Sequence, residues 1–232
     1  MLWYLFNIYG GHIERVEHYL SAICSRIPAM PERDETMIQA GFTIENPLTK
    51  GRTIVLKSDA ETNGNGWLLE HHCIPHAPPE IPEHLHLTWT ETFEIIAGDA
   101  FYKLDGVQET ASAGDTIIVH PRQTHIHPWN AGETELVYRQ HNVFEQPNAQ
   151  AVQEVIGVFA TRAGLARAGK VNSHGEPRNP LQLAATLKTL NKHGGYDAKL
   201  PRWVQDALAA SLGSLAEALG YKAIYPQFVN EE

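Results

Sequence analysis

Between Thr53 and His141 the chain is cut into short stretches of β-forming residues by turn signals at close intervals, a pattern that points to an all-β sandwich or barrel. Thr53–Lys57 and Trp67–His72 read as strands on either side of a polar loop that ends in Asn63-Gly64-Asn65-Gly66. Thr92–Leu104 is a longer strand region broken at Gly98-Asp99, and Asp105-Gly106 is a two-residue hairpin signal with Val107–Thr110 as the return strand. Thr116–Val119 and Thr134–His141 complete the set, while Pro75, Pro78, Pro79 and Pro82 stiffen the approach to His84. Inward and outward side chains alternate along such strands, so the mouth of a small barrel is a natural ligand cavity.

Two blocks within residues 78–130 bring chemistry to that scaffold. In His84-Leu85-His86 the two histidines share a strand face while the leucines take the other. After a turn, Glu91, Phe93 and Ile95 share one face of the next strand. Two imidazoles and a carboxylate from adjacent strands make a compact nitrogen and oxygen ligand set for zinc, iron, nickel, copper or manganese. The second block runs from Gly114-Asp115 to His120-Pro121-Arg122-Gln123-Thr124-His125, with His127 on the same face as His125. A lone HxH in a chain with thirteen histidines carries little weight; the spacing to Glu91 and Gly98, with a second block behind it, carries more.

The spacing from His84 to Gly98 resembles the first motif of the cupin superfamily, G-x5-H-x-H-x3,4-E-x6-G, with Pro78 in place of the leading glycine. Gly114 to His125 keeps the separation of the second motif, G-x5-P-x-G-x2-H-x3-N. His120 there replaces the usual proline, Arg122 the usual glycine, and the final asparagine falls one place late at Asn130. The resemblance covers about residues 40–145. It implies a mainly β fold, a double-stranded β-helix (jelly-roll) barrel, with one divalent transition metal on His84, His86, Glu91 and His125. His127 is the alternative last ligand or a supporting proton donor. Phe93 and Ile95 are expected to line the cavity, Trp89 to meet substrate at its mouth, and Trp129 to serve as cavity wall or barrel core. His71 and His72 are adjacent on a strand, so only one of them can face inward.

Helical signals flank the barrel. His12–Ile27 has an amphipathic stripe that Pro28 ends. Ala149–Ala168 has helical spacing, and Leu181–Lys192 follows an Asn179-Pro180 cap. Pro201–Leu219 has apolar positions at Val204, Leu208, Leu212, Leu215 and Leu219 that need a cover, either the outer wall of the barrel or a second copy in a homodimer. The expected organisation is a helical arm over 1–40, the barrel over 41–145 and a helical extension over 146–232.

Residues 1–140 hold nine Lys and Arg against nineteen Asp and Glu, while 141–232 hold nine against eight. An acidic motif half argues against a nucleic-acid partner. Met1–Tyr9 lacks the features of a signal peptide, and no segment reaches transmembrane length. Cys24 and Cys73 make no disulfide framework, which fits reduced thiols in a cytoplasmic protein.

The chemistry expected is that of a metal-dependent dioxygenase acting on a small aromatic or enolisable substrate. A non-redox isomerase or cyclase and a non-catalytic small-molecule binder are the alternatives, and metal identity separates the first two.

Overall fold

The computed structural model describes residues 38–229. The helix expected over His12–Ile27, the apolar stretch Met1–Tyr9 and Cys24 lie outside these residues.

The barrel is a pair of facing antiparallel sheets. Its strands are β1 (Thr43–Asn46), β2 (Gly51–Lys57), β3 (Gly66–Cys73), β4 (His84–His86), β5 (Trp89–Ala97), β6 (Asp99–Leu104), β7 (Val107–Ser112), β8 (Thr116–Val119), β9 (His125–Asn130) and β10 (Leu136–Phe144). An eleventh strand, β11 (Gly195–Asp197), arrives from the far C-terminal side of the sequence. One sheet runs β1-β2-β3-β10-β5-β8 and the other β11-β4-β9-β6-β7, the two-layer arrangement of a jelly roll. The Asp105-Gly106 hairpin forms as expected, both residues holding the positive φ (47° and 84°) that a type I′ turn requires.

The helices are α1 (Asp59–Thr62), α2 (Ala149–Arg167), α3 (Pro180–Lys192), α4 (Arg202–Leu208), α5 (Ser214–Ala218) and α6 (Pro226–Val229), with a π-helical turn, Ala209–Gly213, joining α4 to α5. Asn148 caps α2 by accepting from Ala151 N, and Asn179 caps α3 by accepting from Leu181 N and Gln182 N, with Pro180 in the first turn.

Among the described residues two apolar cores result. One lies within the barrel and joins Phe93, Ile95, Ala100, Ile117, Val119, Leu136 and Tyr138. The other is shared between barrel and tail: Val55, Trp67, Leu69, Trp89 and Phe144 pack with Val152, Val155, Ile156 and Ala160 of α2. The leucine stripe of the last long helical segment does not pack on the outer wall of the barrel. Leu208, Leu212, Leu215 and Leu219 are exposed, and the inward side is small or polar: Gln205, Gly213 and Ala216. Gly213 lets the segment approach α3 closely, since a Cβ there would lie 2.9 Å from Lys188 Cβ. Among the described residues no helix is long and apolar enough to cross a membrane.

Candidate metal centre

Strand alternation delivers the cluster. β4 supplies His84 and His86, β5 supplies Glu91, and β9 supplies His125 and His127, with His84 directly opposite His125 in the β4–β9 pairing. The inward side of β5 is Trp89, Glu91, Phe93 and Ile95, all buried, as the alternation requires. One ligand atom from each of His84, Glu91, His125 and His127 falls within 4.8 Å of the others. His86 stands outside that quartet but adjoins it, its Nε2 3.3 Å from Glu91 Oε2. His125 Nε2 and His127 Nε2 lie 2.8 Å and 3.5 Å from the same oxygen. Sequence reasoning treats His125 and His127 as alternatives for one place; the structure brings both in, with rings stacked at 5.5 Å.

The imidazoles are oriented for this. His84 Nδ1 lies 3.0 Å from the carbonyl oxygen of Pro82, and His125 Nδ1 lies 3.3 Å from that of Gln123. A carbonyl only accepts, so each Nδ1 carries the proton and each Nε2 presents a lone pair. Burial pushes the His84 imidazole well below its usual pKa, with His125 and His127 adding to the shift, so the ring is neutral. Burial also lowers His86, against the opposing pull of Glu91. For Glu91 burial alone would raise the carboxyl. The electrostatic pull of the imidazoles gathered at Oε2, His127 first and then His125 and His86, outweighs it, so the group stays well below the usual carboxylate range.

Two residues that sequence reasoning missed complete the site. Gln140 Nε2 and Asn142 Nδ2, successive inward positions of β10, both donate to Glu91 Oε1, the latter at 3.0 Å. That occupies one carboxylate oxygen and leaves Oε2 facing the imidazoles. Gln140 is held in turn by His71, whose Nε2 lies 2.8 Å from Gln140 Oε1 while its Nδ1 lies 3.0 Å from Thr53 Oγ1. The signal for both amides is present in Leu136-Val137-Tyr138-Arg139-Gln140-His141-Asn142, where alternation puts Gln and Asn on the apolar side.

The donor set suits a bound transition ion. Ligand atoms around one ion at ~2.0–2.2 Å stand roughly 3–4 Å apart, the spacing seen around Glu91 Oε2. His125 Nε2 and His127 Nε2 are buried without a hydrogen-bond partner, an expensive state for an imidazole that metal ligation relieves.

The cluster opens into a cavity of about 410 Å³. His84, His86, Trp89, Glu91 and His127 border it on the barrel side, and Phe159 and Arg162 of α2 with Leu183, Leu187 and Leu190 of α3 border it on the tail side. β11 closes the edge beside the histidine strand, pairing Gly195 with His86 and Asp197 with His84. Trp89 is buried, lines the cavity and stacks on His86 at 4.5 Å, deeper than the mouth position expected of it. Phe93 and Ile95 do not reach the cavity. They sit in the barrel core, Phe93 with its ring 4.9 Å from that of His127. Trp129 is half-buried against Phe101, away from the cavity, because an irregularity in the β6–β9 pairing shifts the alternation after His127. Asn130 turns inward instead and ties the chain, donating to Cys73 O and Thr134 O.

Of the adjacent pair, His71 faces inward, and His72 lies beside Glu70 and Glu135 near the surface. His193 is buried and its Nε2 lies 2.6 Å from Glu154 Oε2.

Residues 71–143 match the family model described as the cupin domain. Solved structures similar to the chain include a predicted oxalate decarboxylase from Thermotoga maritima, 17% identical with a TM-score of 0.39, the match covering 48% of this chain and 96% of that one. A double-stranded β-helix protein from Klebsiella pneumoniae is 18% identical with a TM-score of 0.36, over 52% of this chain and 95% of that one. A cupin protein from Bacteroides fragilis is 18% identical with a TM-score of 0.34, over 39% and 75%. No curated protein matches the chain.

Proposed function

We propose that this chain, whose residues 71–143 match the cupin-domain model, is a metal-dependent enzyme, an oxygenase acting on a small aromatic or enolisable substrate held between barrel and tail. The observation that carries the reading is the convergence of His84, Glu91, His125 and His127, with His86 alongside, at the inner end of an otherwise largely apolar cavity. Those residues would hold one divalent ion, and a redox-active ion such as iron, copper or nickel supplies the oxygenase chemistry.

The chain's own groups do the rest. Gln140 and Asn142 fix the Glu91 carboxylate so that a single oxygen faces the histidines. Pro82 O and Gln123 O set the tautomers of His84 and His125. Trp89 and the leucines of α3 exclude water from the wall of the cavity and offer an aromatic body a surface to lie against. A small molecule is therefore the partner, and the acidic motif half gives no surface for nucleic acid.

The test is metal content followed by oxygen uptake. Single changes to Ala at His84, Glu91, His125 and His127 are expected to lower metal occupancy of the purified protein at least ~10-fold. Oxygen consumption with catechol and flavonol probes is expected to require the same residues. Full occupancy in the Glu91→Ala and His125→Ala variants would overturn the metal centre. Bound zinc with no oxygen uptake would overturn the oxygenase and leave non-redox isomerase or cyclase chemistry.

A further inference from the structure

α2 carries a cation into the cavity. Arg162 is part-buried, and its Nε and Nη2 reach a single acceptor, the carbonyl oxygen of Gly175, each at the long distance of 3.4 Å. No carboxylate among the described residues stands at ion-pair distance from its guanidinium. Glu80 and Glu176 act on it from farther away, and both are engaged elsewhere, Glu80 with Thr49 Oγ1 and Glu176 with Asn172 Nδ2. Burial lowers the pKa of the group despite those two acids, which marks a charge that lacks full compensation.

An uncompensated guanidinium beside a ligand cavity has a ready chemical complement. Its planar fork matches a carboxylate, two parallel N–H donors to two oxygens, and is matched less fully by a single neutral acceptor. The surroundings favour a monoanion, since one guanidinium with two acids nearby would pair poorly with the higher charge of a phosphate ester. Arg162 also borders the same cavity as His84, His86 and Glu91, with Phe159 and Leu187 supplying apolar wall.

We propose that Arg162 is the anion subsite of this cavity, and that the substrate is a small organic acid. Its carboxylate pairs with the guanidinium, its apolar body lies along Phe159 and Leu187, and its reacting end faces the His84–Glu91 cluster. The anion contact stands on Arg162 alone; only the direction of the reacting end rests on the metal-centre reading. The tail thus supplies specificity to a centre built by the barrel.

Calorimetric titration of the full chain with benzoate, benzamide and inorganic phosphate tests this, with metal content measured on the same samples. Benzoate is expected to bind at least ~10-fold tighter than its neutral isostere. Arg162→Gln is expected to erase that preference while leaving benzamide affinity and metal content unchanged. Arg162→Lys, which keeps the charge and loses the fork, is expected to retain part of it, and it decides the matter if the Gln variant does not fold. Equal affinity for benzoate and benzamide in the unmodified protein would overturn the proposal, as would undiminished preference in the folded variants or phosphate binding tighter than benzoate. A metal-free protein that still prefers benzoate through Arg162 supports the subsite while counting against the metal centre. A metal-loaded protein with no preference does the reverse.

Discussion

His71 shows how one residue fixes the state of others. It is buried, stacks on Tyr138 at 4.5 Å, and its imidazole is pushed down to about 3 by burial, the hydrogen bond to Gln140 opposing the shift only in part. The ring is therefore neutral at ordinary pH. Gln140 uses its NH2 on Glu91, so His71 Nε2–H donates to the Gln140 oxygen and Nδ1 accepts from Thr53 Oγ1. A chain of defined polarity then runs from Thr53 to the carboxylate. In the unfolded chain the same histidine titrates near ~6.5, so between that value and about 3 the unfolded state binds the extra proton. Stability from His71 is complete above ~6.5 and is lost as pH falls, with a slope of up to ~1.4 kcal/mol per pH unit. Urea unfolding of chelator-treated protein at pH 6.5, 5.5 and 4.5 is expected to show at least this slope, since the lowered His84 and His86 add to it, and His71→Gln to reduce it by up to ~1.4 kcal/mol per pH unit. An unchanged slope in the variant would mean that His71 is not held neutral. Arg122 teaches a different lesson. It stands where the resembling motif has glycine, yet keeps the backbone a glycine would take, φ 75°, while its N–H donates to His86 O at 2.7 Å. The departure from the motif altered a side chain on the surface and left the loop that carries His125 intact.

At the scale of elements, what was legible in the sequence is what period-two alternation and turn chemistry encode. The HxH strand, the Glu91 face and the Asp105-Gly106 hairpin follow from those rules alone. Where the alternation slips, reading fails: the irregularity between β6 and β9 turns Trp129 away from the cavity and Asn130 inward. β11 was illegible for another reason. Three residues carry no periodicity, and their strand character comes from pairing with β4, more than a hundred positions earlier in the chain. At Gly66 two central strands come close together. Its φ of 138° suits glycine alone, and a Cβ would lie 1.7 Å from the carbonyl oxygen of Asn142, the residue that holds Glu91. Gly106 also has positive φ, but nothing stands within 4 Å of its would-be Cβ. Gly106→Ala is thus expected to cost roughly 1 kcal/mol, the backbone strain alone. Gly66→Ala must in addition displace β10, for a loss of at least ~3 kcal/mol in urea unfolding together with reduced metal content. Equal effects of the two substitutions would show that β10 yields freely at Asn142.

For the whole molecule, the helical tail is legible as helices but not as part of the barrel's core. Caps and 3.6-residue spacing locate α2 and α3, whereas the surface they cover depends on packing between distant segments. In the structure Val152, Val155 and Ile156 of α2 are buried against Trp67, Leu69, Trp89 and Phe144 of the barrel. Trp89 is also the ring on which His86 stacks, so the shared core reaches the candidate metal centre. Burial of a large aliphatic side chain stabilises by about 1.5–3 kcal/mol, and several such residues on α2 together approach the ~5–15 kcal/mol of an entire domain. Ending the chain after Glu145 would also remove β11 and leave β4, three residues long, with β9 as its single neighbour in the sheet. The barrel's inner core of Phe93, Ile95, Leu136 and Tyr138 involves no residue of the tail, so the truncated chain is expected to stay collapsed while losing fixed packing. Its thermal transition by circular dichroism should be broad or absent, it should bind an apolar dye, and its metal content should fall with the mobility of β4. A truncated chain that melts cooperatively and keeps its metal would show that the barrel folds and binds on its own, and that the tail serves only to wall the cavity.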